Sequence, residues 1–528
     1  MNKITNSILK GFNPDPSIIR VGDDYYIATS TFEWFPGVQI HHSRDLMHWK
    51  LVGRPLNKRS QLDMEGEPDS CGVWAPCLSY CDGMFYLVFT DVKGGSGGYF
   101  DAHNYLVVSK DITGEWSEPV FINSNGFDPS LFHDDDGKKW ILMESCDNGW
   151  KKNWFGGIIL QEYSSEQQKL IGPVYNIFEG SKLGCTEGPH LYRKHGYYYL
   201  ITAEGGTGLH HAVTVARAKN IFGPYEIDPE GHILTAVDHP MLPIQKTGHA
   251  DIVETPEGET YMVHLCGRPI PSRGVCTLGR ETCIQKVEWT ESKWLRLEDG
   301  SNKPSLNIQI DIQEEYQEID EPTKDDFDSP KLNIHFQSLR IPLTEDRFSL
   351  TERPGYLRLK GRESLSSRFK QSLVARRQQS FCYTATTCVE FEPQSFKQMA
   401  GLVCYYNTQN YHYLYITKEE TLGKCLYIKT CNNGNGDFPL ENAISVEGWN
   451  RCYLKVEVAY DRLRFYYSKD GEAWNRIAST LDAAILSDEN CKSWWGFTGA
   501  FVGICCQDMT GQRIHADFDY FEYIETEV

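Results

Sequence analysis

One short pattern recurs five times along the first part of the chain, and it constrains the fold more than any other feature. Its first statement, "GFNPDPSIIRVGDDYYIATST", is echoed by "VWAPCLSYCDGMFYLVFTD", "GFDPSLFHDDDGKKWILMES", "TEGPHLYRKHGYYYLITAEG" and "GHADIVETPEGETYMVHLCG". Each copy reads as a strand, a tight turn carrying Gly22, Gly83, Gly137, Gly196 or Gly258, and an apolar strand led by Tyr, Phe or Trp. That is the signature of a β-hairpin. The turn glycines recur roughly every 60 residues. Weaker echoes behind most hairpins, such as "HHSRDLMHWKLVGRPL" and "LVVSKDITGEWSEPVF", supply two outer strands per unit. Four-stranded units repeated without helical periodicity predict a five-bladed β-propeller over residues 1–305. A β-solenoid would repeat at a much shorter period.

In a blade the first strand lies innermost, so its leading end opens onto the axial funnel. The residue before the repeat's Pro is, in order, Asp15, Ala75, Asp128, Gly188 and Ala250; one earlier stand Pro14, Trp74, Phe127, Glu187 and His249. One rim therefore collects three carboxyls, an indole and an imidazole. Singly, each has an ordinary explanation. Asp before Pro is a common turn starter, Glu187 could be a solvated loop residue, and His249 a satisfied core histidine. Together they do not, because three carboxyls converging on one axis repel one another unless chemistry uses them.

Two opposed carboxyl groups with a third nearby, beside aromatic rings, fit glycoside hydrolysis. One protonates the leaving oxygen, and another activates water or attacks the anomeric carbon. The third is expected to hold the acid's pKa up and fix its rotamer. Trp74 and Phe32, from "TSTFEWFPG", are the expected apolar walls against sugar faces. The residues alone leave inversion and retention both open, since that choice depends on the carboxyl separation.

Composition narrows the partners. A formal charge of −20 and no run of Lys and Arg argue against nucleic acid. No apolar stretch is long enough to span a membrane, and the start, "MNKITNSILKGF", carries no signal-peptide pattern. The 17 cysteines are scattered and never in a CxxC pair. Free thiols in a cytoplasmic protein are therefore expected, rather than zinc clusters or disulfides. We further expect a homo-oligomer.

The acidic, Pro-interrupted stretch at residues 306–324 reads as a linker. Beyond it, alternating runs such as "CYTATTCVEFEP", "HYLYITK" and "CYLKVEVAYDRLRFYYSKDGEAW" predict a β-sandwich over residues 325–528. The fold class is thus all-β throughout.

Across nearly its whole length the sequence resembles the two-domain β-xylosidases of glycoside hydrolase family 43. The stretches that carry the resemblance are "NSILKGFNPDPSI", "TSTFEWFPGVQIHHSRDLMHW", "GVWAPCLSY", "GFDPSLFHDDDGKKW", "CTEGPHLY", "TGHADIVET" and "LGRET". The resemblance implies Asp15 as general base, Glu187 as general acid and Asp128 as the carboxyl that tunes and orients the acid. It implies Arg280 as a ligand of substrate hydroxyls, and His249 as the histidine under the bound sugar near the axis. In some relatives that histidine coordinates calcium directly or through water, so a calcium ion at the axis is one expectation, while no cofactor is required. The resemblance also implies inversion, a jelly-roll or concanavalin-like sandwich, and a sandwich-borne phenylalanine in the substrate pocket. "SWWGFTGAFVG" is the place to look, with Phe501 the first choice and Phe497 the second.

The activity so implied is exo-release of D-xylose from the non-reducing ends of β-1,4-xylooligosaccharides, with an α-L-arabinofuranosidase side activity. The alternatives are a primary α-L-arabinofuranosidase, a fructan-cleaving propeller and a glycan-binding propeller without catalysis. Fructan-cleaving propellers carry an "NDPNG" box where this chain has "NPDPS". A binding module has no need of three converging carboxyls.

Overall fold

The computed structural model describes residues 2–146, 154–310, 322–492 and 496–526. Five antiparallel sheets follow one another in chain order, each wound from its first strand outward. Their innermost strands are Ser17–Val21, Gly72–Cys81, Gly126–His133, Glu187–Lys194 and Gln245–Glu254. The turns are as expected. Asp82–Gly83 and His195–Gly196 both have positive φ and make two-residue hairpin loops whose twist matches the strands.

Five hydrophobic cores lie between successive blades. Ile40 meets Leu87 between the first two, Leu106 meets Leu131 between the next, and Leu142 meets Leu200. Ile201 meets Met262, and Ile27 meets Val263, which closes the ring. The closure also joins chain segments: Asn2–Thr5 pairs antiparallel with Asn307–Ile310. The expected linker therefore begins as a strand that seals the propeller, because Ile308 and Ile310 bury into the first-to-fifth blade core. Residues 311–321 of that linker lie outside the described residues.

From Lys324 the chain builds two packed antiparallel sheets with a core that includes Leu402, Leu454, Phe465 and Ile504. One sheet is buried on both faces. In its edge strand Ser372–Arg377, Val374 points into the sandwich core, while Leu373 and Ala375 point at the propeller. There they join Phe12, Phe32, Trp34 and Trp74 in a shared core. The strand pair Trp34–Phe35 with Ser338–Leu339 ties the domains by backbone. Arg340, fully buried, bonds Asp69 at 2.8 Å across the seam. An apolar interface that also encloses a buried ion pair makes the sandwich a structural partner of the propeller rather than a tethered module.

Candidate active site

Every blade carries a one-residue bulge at the leading end of its innermost strand or a left-handed residue in its place. Asp15, Ala75, Asp128, Gly188 and His249 all have φ between 29° and 56°. A bulge re-aims the side chain that a regular strand would hide between blades. The alignment of the fifth unit shifts by one. His249, not Ala250, is the equivalent of Asp15 and Asp128, and Ala250 occupies the place of the repeat's Pro. The missing Pro hid this register in the sequence.

These residues converge as expected. Asp15, Phe32, Trp74, Asp128, Glu187, His249 and Arg280 all line one pocket at the funnel's centre. Asp15 accepts from Ser30 Oγ at 2.6 Å and from Arg280 Nη1 at 3.2 Å. Asp128 Oδ2 accepts the Gly188 N–H at 3.0 Å, which ties it to the residue next to Glu187. His249 Nδ1 stands 3.9 Å from both Asp15 and Asp128. A Cβ on Gly188 would come within 2.9 Å of the His249 ring, so that blade needs glycine for space as well as for its φ of 56°.

Three carboxyls share one guanidinium here, so they cannot all be ionised cheaply. The charge that Arg280 neutralises is that of Asp15. Burial, then the negative charge of Asp15, pushes Glu187 up to about 8, against the pull of Arg280. Burial, then Glu187 and Asp15, pushes Asp128 well above the ordinary carboxylate range. Glu187 is thus held protonated at neutral pH, as a general acid must be. The charge of Asp15 raises both of its neighbours, and Glu187 and Asp128 repel one another as a coupled pair, with Asp128 also fixing position through the Gly188 N–H.

The sandwich contributes a different ring from the one expected. Phe501 is fully buried, stacked on Trp34 at 3.6 Å and 10°, behind the pocket wall. The ring that lines the pocket is Phe497. It packs 6.1 Å from Phe32 and 5.6 Å from Trp74, its N–H donates to Ser70 Oγ, and its carbonyl accepts from Arg280 Nη2 at 3.1 Å. Position 501 opens a strand whose inward face belongs to the interdomain core; position 497 stands in the preceding loop, free to reach the funnel.

Sequence reading missed several groups. Thr207 donates no repeat signal, yet its Oγ1 accepts from Arg280 at 3.0 Å. His211 donates Nδ1–H to the Gly206 carbonyl at 2.6 Å, which leaves Nε2 as an unprotonated acceptor at the pocket wall. Burial pushes its pKa down to about 3. Glu144, fully buried behind Asp128, is pushed up to about 10 by burial. Thr207 and His211 stand in a loop that follows no repeat position, and Glu144 lies on the second strand of its hairpin, facing the first-strand residue Phe127.

Calcium takes about six to eight oxygens; at His249 one imidazole nitrogen stands with the Asp15 and Asp128 carboxyls 3.9 Å away, so an ion at this point would take most of its oxygens from water. Burial also holds His249 down at about 4, a neutral ring between two carboxyl groups. No catalytic step is routed through a metal.

A propeller funnel holding an ionised carboxylate, a protonated carboxyl and aromatic walls defines a glycoside hydrolase. The chain belongs to glycoside hydrolase family 43: the family described as "Glycosyl hydrolases family 43" matches residues 4–295, and the "Beta xylosidase C-terminal Concanavalin A-like domain" matches residues 324–524. It is 52% identical to a protein named beta-xylosidase from Bacillus subtilis (strain 168), over 99% of this chain and 100% of that one. It is 48% identical to a xylosidase/arabinosidase 43B from Humicola insolens, over 99% and 98%. Among solved structures it superposes on a xylan beta-1,4-xylosidase from Bacillus halodurans C-125 with a TM-score of 0.97 at 54% identity, over 99% and 100%.

Proposed function

We propose that the protein is an exo-acting, inverting β-xylosidase that releases D-xylose from the non-reducing ends of β-1,4-xylooligosaccharides, with a lesser α-L-arabinofuranosidase activity. The carrying observation is the small pocket in which Asp15, paired to Arg280, faces a protonated Glu187 under a roof supplied by Phe497. A pocket closed on one side by Phe497 suits the end of a short sugar chain rather than the middle of a polymer. Glu187 gives its proton to the leaving oxygen while Asp15 takes one from the attacking water, in a single displacement. Arg280, Thr207 and His211 supply donors and an acceptor for sugar hydroxyls, and Trp74 and Phe32 stack against the ring. The names of its relatives, which include xylosidases and a xylosidase/arabinosidase, support both activities.

The test is kcat/KM on 4-nitrophenyl β-D-xyloside beside the α-L-arabinofuranoside, with proton NMR of fresh product. The xyloside should be preferred and α-xylose should form first. Initial β-xylose would overturn inversion, and a strong arabinofuranoside preference would overturn the substrate assignment.

A cytoplasmic location and self-association belong to the same proposal. The described cysteines are all unpaired thiols, which supports a reducing compartment. Among the described residues no helix is long and apolar enough to cross a membrane. Cell fractionation and light scattering test these two points.

A further inference from the structure

The fold assembles what the linear sequence lacks, a concentrated basic site. A cleft of about 1480 Å³, its open mouth included, lies between the first blade and the sandwich. Six Lys and Arg side chains line it against one carboxylate, Asp45, in a chain of net charge −20. Asp45 is already taken by His48 Nδ1 at 2.5 Å and by the N–H groups of Met47 and His48. The nearby Asp24 is likewise taken, by Arg44 and His42, and Glu525 stands 3.7 Å from Lys10.

At the floor two guanidiniums converge on a single neutral oxygen. Gln39 Oε1 accepts from Arg54 Nε at 3.1 Å, Arg54 Nη2 at 2.5 Å and Arg377 Nη1 at 2.8 Å. Arg377 is only 5% exposed, and its Nη2 has no partner among the described residues. His41, 7% exposed, lines the same cleft and leaves Nδ1 without one. No carboxylate offsets either arginine: burial alone lowers Arg54 to about 9, and burial together with Arg54 lowers Arg377. Arg54 also donates to the Ile334 carbonyl, and Arg377 to the Phe12 carbonyl at 2.6 Å and to Gln337 Oε1, so every acceptor is neutral. Two like charges held together by neutral acceptors alone are costly unless a counter-ion enters.

We propose that this interdomain cleft is a binding site for a small phosphoryl anion, held by Arg54, Arg377 and Lys50 and distinct from the catalytic pocket. Forked guanidiniums match phosphate oxygens in pairs. The cleft is larger than phosphate alone needs, so a phosphorylated sugar is the second source of the same chemistry.

The test is thermal stability and calorimetric titration of the full chain at constant ionic strength, with inorganic phosphate, ribose 5-phosphate and sodium chloride. Phosphate should bind saturably and raise Tm, chloride should not, and ribose 5-phosphate binding more tightly than phosphate would identify the sugar ester as the better ligand. Affinity should fall about tenfold in Arg54→Gln, the loss expected for a charge-assisted bond. The exposed Lys50→Gln covers the case where Arg54→Gln misfolds; it should weaken phosphate binding with xylosidase turnover unchanged. Binding should survive Arg280→Gln in the catalytic pocket. Equal responses to chloride, unchanged affinity in both cleft variants, or loss of binding only in Arg280→Gln would each overturn the proposal.

Discussion

The catalytic pocket and the basic cleft share the segment from Lys10 to Asp15, and they solve opposite charge problems. The pocket crowds three carboxyls around one guanidinium. The cleft crowds guanidiniums around neutral amide and carbonyl oxygens. Carboxyls relieve crowding by taking up protons, which is how Glu187 and Asp128 come to be held above the ordinary range. Arginine keeps its proton at working pH, so the cleft has no such relief from within. Like-charge crowding therefore makes a general acid in one place and a counter-ion site in the other.

The largest expected effects break the pocket's division of labour. Asp15→Asn should lower turnover on every substrate by on the order of 10²–10⁴-fold, because no group replaces the base. Glu187→Gln should lose as much on xylobiose but far less on an activated aryl xyloside, whose leaving oxygen needs little protonation. Equal losses on both substrates would deny Glu187 the acid's role.

A smaller pair of effects separates the two phenylalanines. Phe497→Ala should raise KM roughly tenfold with little change in folding, as an aromatic wall is lost. Phe501→Ala should instead destabilise by about 3–5 kcal/mol, the cost of emptying a packed aromatic site, with KM nearly unchanged. Substrate titrations and thermal melts of both variants decide it; exchanged outcomes would return the pocket role to Phe501.

The smallest effect concerns Asp128. Asp128→Asn should reduce kcat through lost positioning of the Gly188–Glu187 segment and, with its repulsion of Glu187 gone, move the alkaline limb of the pH profile to lower pH. An unshifted limb would leave Asp128 a positioning role alone.

What was legible in the sequence follows the same division. The hairpin repeat forces equivalent positions onto one axis, so Asp15, Asp128 and Glu187 could be found with no structure. The fifth blade was misread by one residue because Ala250 replaces the proline that marks the register. Phe497 was ranked behind Phe501 because pocket-facing and core-facing rings look alike in an aromatic run. The cleft was invisible: Arg54 comes from the first blade's outermost strand region and Arg377 from a sandwich edge strand, 323 positions later by subtraction. Charges that far apart form no run and obey no period.

The most direct test of the central claim is the titration of Glu187 itself, by carbon NMR of selectively labelled glutamate, in the wild type and in Asp15→Asn. The apparent value belongs to a coupled set of carboxyls, so the shift between the two proteins is the quantity to read. Wild type should titrate near 8. Removing the charge of Asp15 removes its repulsion and leaves Arg280 unopposed, and both changes favour the ionised form, so the value should fall in Asp15→Asn. A Glu187 that titrates in the ordinary carboxylate range in wild type, or that keeps its raised value without Asp15, would contradict the account.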